Sequence, residues 1–148
     1  MGVNMERIEP LSEAEARNYN PLSLAFIGDS VYENYVRHRL VLNFPNMLPK
    51  FLHVEAVKYV KASSQSRIME LALPHLSHEE IYIFKRGRNT KSHSVAKNAS
   101  VIDYRRASGF EALVGYLYLI GNEERLEELM KLSFQIIEGG EKNDQERE

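Results

Sequence analysis

The stretch PLSLAFIGDSVYENYV, residues 21–36, decides the fold class. Its apolar positions recur every three or four residues, which is the period of one face of an α-helix. The members of this face are Leu24, Ile27, Gly28, Val31 and Tyr35. Proline is favoured at the first position of a helix, so the helix is predicted to begin at Pro21. The same period continues through most of the chain and alternating strand patterns are missing, so the sequence predicts an all-α fold.

Two further helices are predicted in the amino-terminal half. A short helix is expected within residues 11–18, and a long helix is expected over residues 50–73, where Pro74 ends it. The inward face of the long helix is predicted to consist of Leu52, Ala56, Tyr59, Val60, Ile68 and Leu71. These positions follow the helical period across the whole segment.

A capping motif marks the next helix. Ser77 is followed three residues later by Glu80, which is the spacing of a capping box. The box is predicted to open a short helix that runs through Phe84. The following stretch, residues 87–94, contains glycine and several polar residues, and an exposed loop is expected there.

The carboxyl-terminal third is predicted to hold two helices. The first covers residues 101–120 and stops at Gly121, and Asn122 caps the second. The inward residues of the second helix are Leu126, Leu129, Met130, Phe134 and Ile137. We therefore expect one folded domain over residues 1–138 and a disordered polar tail over residues 139–148.

The composition excludes several classes of protein. The 148 residues suit one domain, and 43% hydrophobic and 27% charged residues are typical of a globular protein. The lack of cysteine excludes disulfide frameworks, cysteine-ligated zinc, iron–sulfur clusters and a catalytic thiol. No apolar run is long enough to cross a bilayer and no secretion signal is visible, so we expect a cytoplasmic protein without a membrane partner.

Positive charge is concentrated in one segment. Residues 85–106 contain seven basic side chains against a single acid, Asp103, whereas the whole chain has a net charge of −2. A basic strip on an acidic body indicates an anionic partner, and phosphate is the commonest such group. The alternative is a solvated loop with no partner.

Two carboxylates interrupt the apolar pattern. Asp29 lies at the edge of a wide apolar arc, and Glu111 begins the most apolar segment of the chain. A buried carboxylate costs on the order of several kcal/mol unless it is paired, hydrogen-bonded or bound to a metal. Asp29 could pair with an arginine, and Glu111 could cap a backbone or pair with Arg105 or Arg106. Together the two acids could instead form one Mg²⁺ site suited to phosphodiester hydrolysis.

Two motifs resemble the ribonuclease III family. The stretch LAFIGDSVY, residues 24–32, is similar to the family's first acidic helical motif, and FEALVG, residues 110–115, is similar to the second. The family usually has four acids, of which this sequence keeps two. Ala25 and Ser108 stand where the family usually has Glu and Asp.

Two basic segments resemble a small bacterial branch of that family, Mini-ribonuclease III. They are KRGRNTKS, residues 85–92, and YRRASGFE, residues 104–111. The branch shows the same reduced set of acids and lacks the separate double-stranded-RNA-binding domain. In this sequence, too, the residues after Ile137 are not expected to form such a domain. The resemblance implies a homodimeric, Mg²⁺-dependent endonuclease that cuts double-stranded RNA and matures the ends of the 23S ribosomal RNA precursor.

The resemblance also implies roles for individual residues. Asp29 and Glu111 are expected to be the catalytic residues and the metal ligands. The residues expected to bind RNA are Lys85, Arg86, Arg88, Asn89, Lys91, Arg105 and Arg106. Ribosomal proteins are further candidate partners. Glu33, one turn after Asp29, is either a supporting acid or the ion-pair partner of Arg37 at i+4.

Two other functions are compatible with the sequence. One is a double-stranded-RNA-binding or ribosome-binding module that has the same fold but no catalytic activity. The other is a helical protein-interaction domain whose acids form structural pairs. Retention of Asp29 and Glu111 favours the enzyme, because a module freed from catalysis has no reason to bury two carboxylates.

Overall fold

The computed structural model describes residues 8–90 and 100–146, which form seven α-helices and no β-strand. The helices are α1 (Glu13–Arg17), α2 (Pro21–Asn43), α3 (Pro49–Val60), α4 (Ala62–Ala72), α5 (His78–Asn89), α6 (Val101–Leu119) and α7 (Glu123–Glu146). A single 3-10 turn over Leu73–His75 follows α4. The all-α prediction is confirmed, and the predicted start at Pro21 is confirmed as well.

Helix α6 lies at the centre of the bundle and packs against α2, α4 and α5. It is buried on almost every side, and its buried residues are Ala107, Gly109, Phe110, Ala112, Leu113, Val114, Gly115, Tyr116 and Leu117. A helix that is apolar all round is expected in the interior of a fold. No helix in the described ranges is long and apolar enough to cross a membrane.

Helices α2 and α6 touch through their main chains at two glycines. A Cβ atom placed on Gly28 would lie 1.8 Å from the carbonyl oxygen of Glu111, and one placed on Gly115 would lie 1.9 Å from the carbonyl oxygen of Leu24. Both distances are far shorter than van der Waals contact, so any side chain would force the helices apart. This contact fixes the register between the two helices.

The predicted caps form in the structure. The Ser77 hydroxyl accepts a hydrogen bond from the Glu80 N–H at 3.1 Å, and the Glu80 carboxylate accepts one from the Ser77 N–H at 2.9 Å. Gly121 follows α6 with a φ of 71°, which only glycine adopts without strain. The Asn122 side chain then accepts a hydrogen bond from the N–H of Arg125 in the first turn of α7.

The prediction of one helix over residues 50–73 is wrong, because the chain is extended at Lys61, with φ −62° and ψ 152°. The break releases the Val60 carbonyl from α3, and the Gln65 amide donates a hydrogen bond to it at 2.8 Å. A side chain thus satisfies a main-chain group that a continuous helix would satisfy. Because the break also resets the helical phase, Leu71 is 46% exposed instead of facing inward.

The prediction of a loop from residue 87 onward is wrong for residues 87–89, because α5 continues to Asn89. Residues 91–94 of that prediction lie outside the described residues. A Cβ atom on Gly87 would lie 2.9 Å from the Cα of Gly109, so this glycine allows α5 to approach α6 closely. This contact between α5 and α6 keeps the segment helical, and the local amino-acid composition gives no sign of it.

Helix α7 is also longer than predicted, because it continues to Glu146. Helical structure therefore extends past residue 138 into the segment for which the sequence predicts a disordered tail. This segment contains Glu, Lys and Gln, which have favourable helix propensities although they form no apolar face. The periodicity of apolar residues does not detect such an extension.

The substitution Gly28→Ala is expected to lower the free energy of unfolding by about 3 kcal/mol, since the new methyl group meets main-chain atoms of α6 that cannot yield. Urea denaturation followed by circular dichroism measures the change. Gly139→Ala is the matched control, because Gly139 is also helical but has no atom within 4 Å of an added Cβ. This control is expected to stabilise the protein by about 0.5–1 kcal/mol through helix propensity. Similar effects of the two substitutions would contradict the close main-chain contact.

Candidate active site

Asp29 and Glu111 lie beside one another where α2 crosses α6, and we call them the acid pair. Gly28, which precedes Asp29, touches the main-chain carbonyl of Glu111. The two carboxylates are close enough for the charge of Asp29 to raise the pKa of Glu111. The fold thus brings together two acids that are 82 positions apart in the chain.

The two carboxylates differ in exposure. Glu111 is half-buried in the central helix, whereas Asp29 is exposed at the rim of the crossing. The expectation that both acids are buried is therefore wrong for Asp29. Successive residues of a helix are rotated by about 100°, so Asp29 lies one step around α2 from the buried Gly28 and leaves the contact face. The exposed position makes this acid accessible to a large substrate.

The pKa values of both carboxyls are raised. Burial raises the pKa of Glu111 to about 8, with a further contribution from the charge of Asp29. A hydrogen bond from the Gln65 amide stabilises the Glu111 carboxylate and offsets part of that rise in pKa. Partial burial also raises the pKa of Asp29, and repulsion from Glu33 adds to the effect.

Basic residues do not neutralise the acid pair. Within residues 8–90 and 100–146, neither acid forms an ion pair with a lysine or arginine. The alternative in which Glu111 pairs with Arg105 or Arg106 is therefore wrong. Glu33, by contrast, does pair with Arg37, with 2.8 Å between the carboxylate oxygen and the guanidinium nitrogen. The ion-pair interpretation of Glu33 is confirmed.

The donor set of the acid pair fits a hydrated divalent cation. Mg²⁺ is commonly held in proteins by one or two carboxylates, while waters and phosphate oxygens complete its octahedron. The described residues contain no cluster of three or more His, Cys, Asp or Glu that could hold a metal, so within them the site offers two carboxylates. The buried Oε1 atom of Gln65 lacks a hydrogen-bond partner, so one acceptor near Glu111 is unused.

Gln65 is a site residue that the sequence analysis missed. It is only 2% exposed and lies in the first turn of α4. It comes three residues before the buried Ile68 and therefore shares the inward face of the helix. The available signal in the sequence was a polar amide at an inward position. In one uninterrupted helix, however, the main-chain carbonyls are already hydrogen-bonded, so that prediction assigned the amide no partner.

The predicted RNA-binding residues lie on two helices. Those on the last turns of α5 are Lys85, Arg86, Arg88 and Asn89, those on α6 are Arg105 and Arg106, and Lys91 lies outside the described residues. We call residues 85–89 the basic turn. A Cβ atom on Gly87, within this turn, would lie 2.8 Å from the Cβ of Ala112, the residue after Glu111. The basic turn therefore packs against α6 one residue along the chain from Glu111.

Arg86 differs from the other basic residues because its guanidinium is used inside the protein. It donates a hydrogen bond to the carbonyl of Tyr19 at 3.1 Å and another to the carbonyl of Arg17. These acceptors lie at the carboxyl end of α1, where helix carbonyls lack intrahelical partners. Arg86 thus joins α5 to α1, and its contact with RNA stays a prediction.

Comparison with known proteins gives consistent results. Residues 22–122 match the family described as Ribonuclease III domain. A protein from Clostridium tetani named Mini-ribonuclease 3 is 44% identical over 93% of this chain and 91% of its own length. A protein of the same name from Brevibacillus brevis is 49% identical over 81% of this chain and 89% of its own. A crystal structure of a Fusobacterium nucleatum protein matches with a TM-score of 0.73 and 29% identity, and covers 82% of this chain and 96% of that one.

The substitution Glu111→Gln is expected to stabilise the metal-free protein in a pH-dependent manner. The carboxyl has a pKa of about 8 in the folded state against 4.5 as its ordinary value, so the folded wild type holds the extra proton and loses stability as pH rises between those values. The amide does not titrate, so the advantage of the variant grows over this range and is constant above it.

Urea denaturation in EDTA at several pH values measures this advantage, which is expected to reach a few kcal/mol, on the order of 1.4 kcal/mol per unit of pKa shift. Glu70→Gln is the control, because Glu70 is an exposed residue of α4 and its substitution should have a small effect that does not change with pH. An equal advantage of Glu111→Gln at about pH 5 and about pH 9 would show that Glu111 is not held in a desolvated, repulsive position.

Proposed function

Because this chain belongs to the ribonuclease III family and within it to the Mini-ribonuclease 3 group, we propose that the acid pair is the catalytic centre of its endoribonuclease activity. The family acts on double-stranded RNA and generally depends on a divalent metal. The observation that supports the proposal is the meeting of Asp29 and Glu111 at the α2–α6 crossing without a neutralising base. The family and the names of its members disfavour the two non-catalytic alternatives.

Asp29 and Glu111 would hold Mg²⁺. When bound, this ion lowers the pKa of a water ligand and stabilises negative charge on the scissile phosphate. Glu111 is fixed in the central helix, whereas Asp29 at the rim faces the side from which RNA can approach. Because its pKa is raised, the Glu111 carboxyl must release its proton before it can act as a ligand, so metal affinity should increase with pH.

The basic turn, together with Arg105 and Arg106, would hold the RNA backbone. A-form RNA is recognised largely by shape, through its phosphates and 2′-hydroxyls. Lys85 and Asn89 are exposed on the last turns of α5, which packs against α6, the helix that carries Glu111. The resemblance to Mini-ribonuclease III supports the ends of the 23S ribosomal RNA precursor as the substrate. Ribosomal proteins are candidate partners on the same ground.

A second copy of this chain is the expected protein partner. Phe26 is 82% exposed on α2, three residues before Asp29, and Leu22 one turn earlier is 40% exposed. Large apolar side chains that protrude together from a helix typically mark an interface. A two-fold dimer through this face would contain two acid pairs, one for each strand of an RNA duplex.

The substitution Asp29→Asn is expected to reduce cleavage of a precursor end stem by more than about 100-fold, because the amide retains the shape of the side chain but removes the charge that attracts the cation. Cleavage is measured on gels with Mg²⁺, and duplex affinity in EDTA is expected to stay within about twofold of wild type. Glu33→Gln is the matched control, since Glu33 lies on the same helix but pairs with Arg37, and it should retain most activity. Near wild-type cleavage by Asp29→Asn would refute the assignment of the centre. An unrelated duplex of equal length, cut equally well, would refute the preference for the precursor.

The combined substitution of Lys85, Arg88 and Arg105 with alanine is expected to reduce the log–log salt dependence of duplex binding by two to three units, at roughly one unit per lost phosphate contact. Fluorescence anisotropy in EDTA over a series of salt concentrations measures this slope. Lys131→Ala, an exposed substitution on α7, is the control and should leave the slope unchanged. Parallel slopes for the triple variant and the wild type would show that these residues do not contact the backbone.

A further inference from the structure

Gln65 places a polar amide in the interior beside the active site. The residue is 2% exposed, and it lies at the start of α4, which packs against α6. A buried amide is costly unless each of its polar atoms has a partner. The hydrogen-bond partners of the Gln65 amide therefore indicate its role.

The orientation of the Gln65 amide is fixed by the break between α3 and α4. The extended conformation of Lys61 leaves the Val60 carbonyl outside the helical hydrogen-bond pattern, and Nε2 of Gln65 donates to it at 2.8 Å. A carbonyl oxygen only accepts, so the nitrogen and not the oxygen of the amide must face Val60. The same amide is near enough to the Glu111 carboxyl to lower its pKa through a side-chain hydrogen bond.

The amide nitrogen is therefore engaged, whereas the amide oxygen is not. Oε1 of Gln65 is the single buried side-chain polar atom without a hydrogen-bond partner among the residues that the structure describes. Unsatisfied buried atoms of this kind are rare in native proteins and usually indicate a water, an ion or a functional role. Because the amide contacts Glu111, the unfilled acceptor is adjacent to the acid pair.

We propose that Gln65 is a positioning residue of the active site: its amide N–H orients the Glu111 carboxylate, and its Oε1 accepts a hydrogen bond from a water carried by the divalent cation. The inference rests on the proposed function of the acid pair as the metal site. Mg²⁺ loses its waters reluctantly and retains several of them in proteins. Such waters are hydrogen-bond donors, which is the partner that Oε1 lacks.

A purely structural role does not account for this residue. Ser64, the preceding residue, also satisfies a carbonyl at the break, since its hydroxyl donates to the carbonyl of Lys58 at 2.6 Å. A hydroxyl does this without burying a second polar atom that needs a partner. The additional carbonyl of Gln65 is a cost to the metal-free fold, and a donor delivered with the cation would remove that cost.

The test uses thermal unfolding of the full chain, in EDTA and over a series of Mg²⁺ concentrations. A cation that binds only the folded state raises the melting temperature by mass action, in proportion to the logarithm of 1 + [Mg²⁺]/Kd, so a fit to the series gives the Kd. Gln65→Met keeps the length of the side chain but removes its polar atoms, and it is expected to raise the Kd for Mg²⁺ about tenfold. Ser64→Ala is the matched control: it should lower the melting temperature in EDTA and leave the Kd unchanged.

Asp29→Asn separates failure of the inference from failure of the proposed function. If the wild type does not respond to Mg²⁺, or if Asp29→Asn responds as the wild type does, the metal site itself is wrong and the inference falls with it. If Asp29→Asn loses the response while Gln65→Met keeps the wild-type Kd for Mg²⁺, the metal site stands and the role of Gln65 is refuted.

A second measurement keeps the inference testable even if Gln65→Met does not fold. The side-chain amide resonances of Gln65 in the wild type are expected to move as Mg²⁺ is added, and to saturate with the Kd found by thermal unfolding. The resonances of Gln135, which is exposed on α7, serve as the internal control and should not move. Unchanged Gln65 resonances at saturating Mg²⁺ would overturn the proposed hydrogen bond.

Discussion

The direct contact between the main chains of α2 and α6 is the constraint on which the proposed active site depends. Gly28 and Gly115 have no side chains to separate the helices, so each helix reaches the carbonyl oxygens of the other. No other residue type permits this approach, because an added Cβ would overlap main-chain atoms. The contact sets Asp29 beside Glu111, so this close main-chain packing coincides with the proposed catalytic centre.

Glu80 and Glu111 show that this fold covers carboxyl groups in two different ways. Glu80 is 6% exposed, and although burial raises its pKa, hydrogen bonds from Arg125 at 2.7 and 2.9 Å outweigh that effect and leave the pKa lowered. That carboxylate joins α5 to α7. Glu111 has no such partner and faces a second acid, so its pKa rises. The unpaired charge weakens the metal-free fold and provides a site that a cation can stabilise.

The basic residues also divide into structural and surface groups that a count of charges does not distinguish. Arg125 joins α7 to α5, and Arg86 joins α5 to the end of α1. Lys85 and Arg105, in contrast, are exposed and form no such link between helices within the described residues. Because Arg86 already donates to main-chain carbonyls, part of the positive charge in this region also has a structural role.

The sequence by itself determined the helical class, the caps at Ser77 and Asn122, and the importance of Asp29 and Glu111, which break the apolar period. These features depend on neighbours within about one helical turn, and local spacing reports such neighbours. Only the tertiary structure decided the break at Lys61, the helical state of residues 87–89, the exposure of Asp29 and the place of Gln65 behind Glu111. The helical state of residues 87–89 and the place of Gln65 depend on contacts with α6, which is far away in the chain and which local spacing therefore does not reveal.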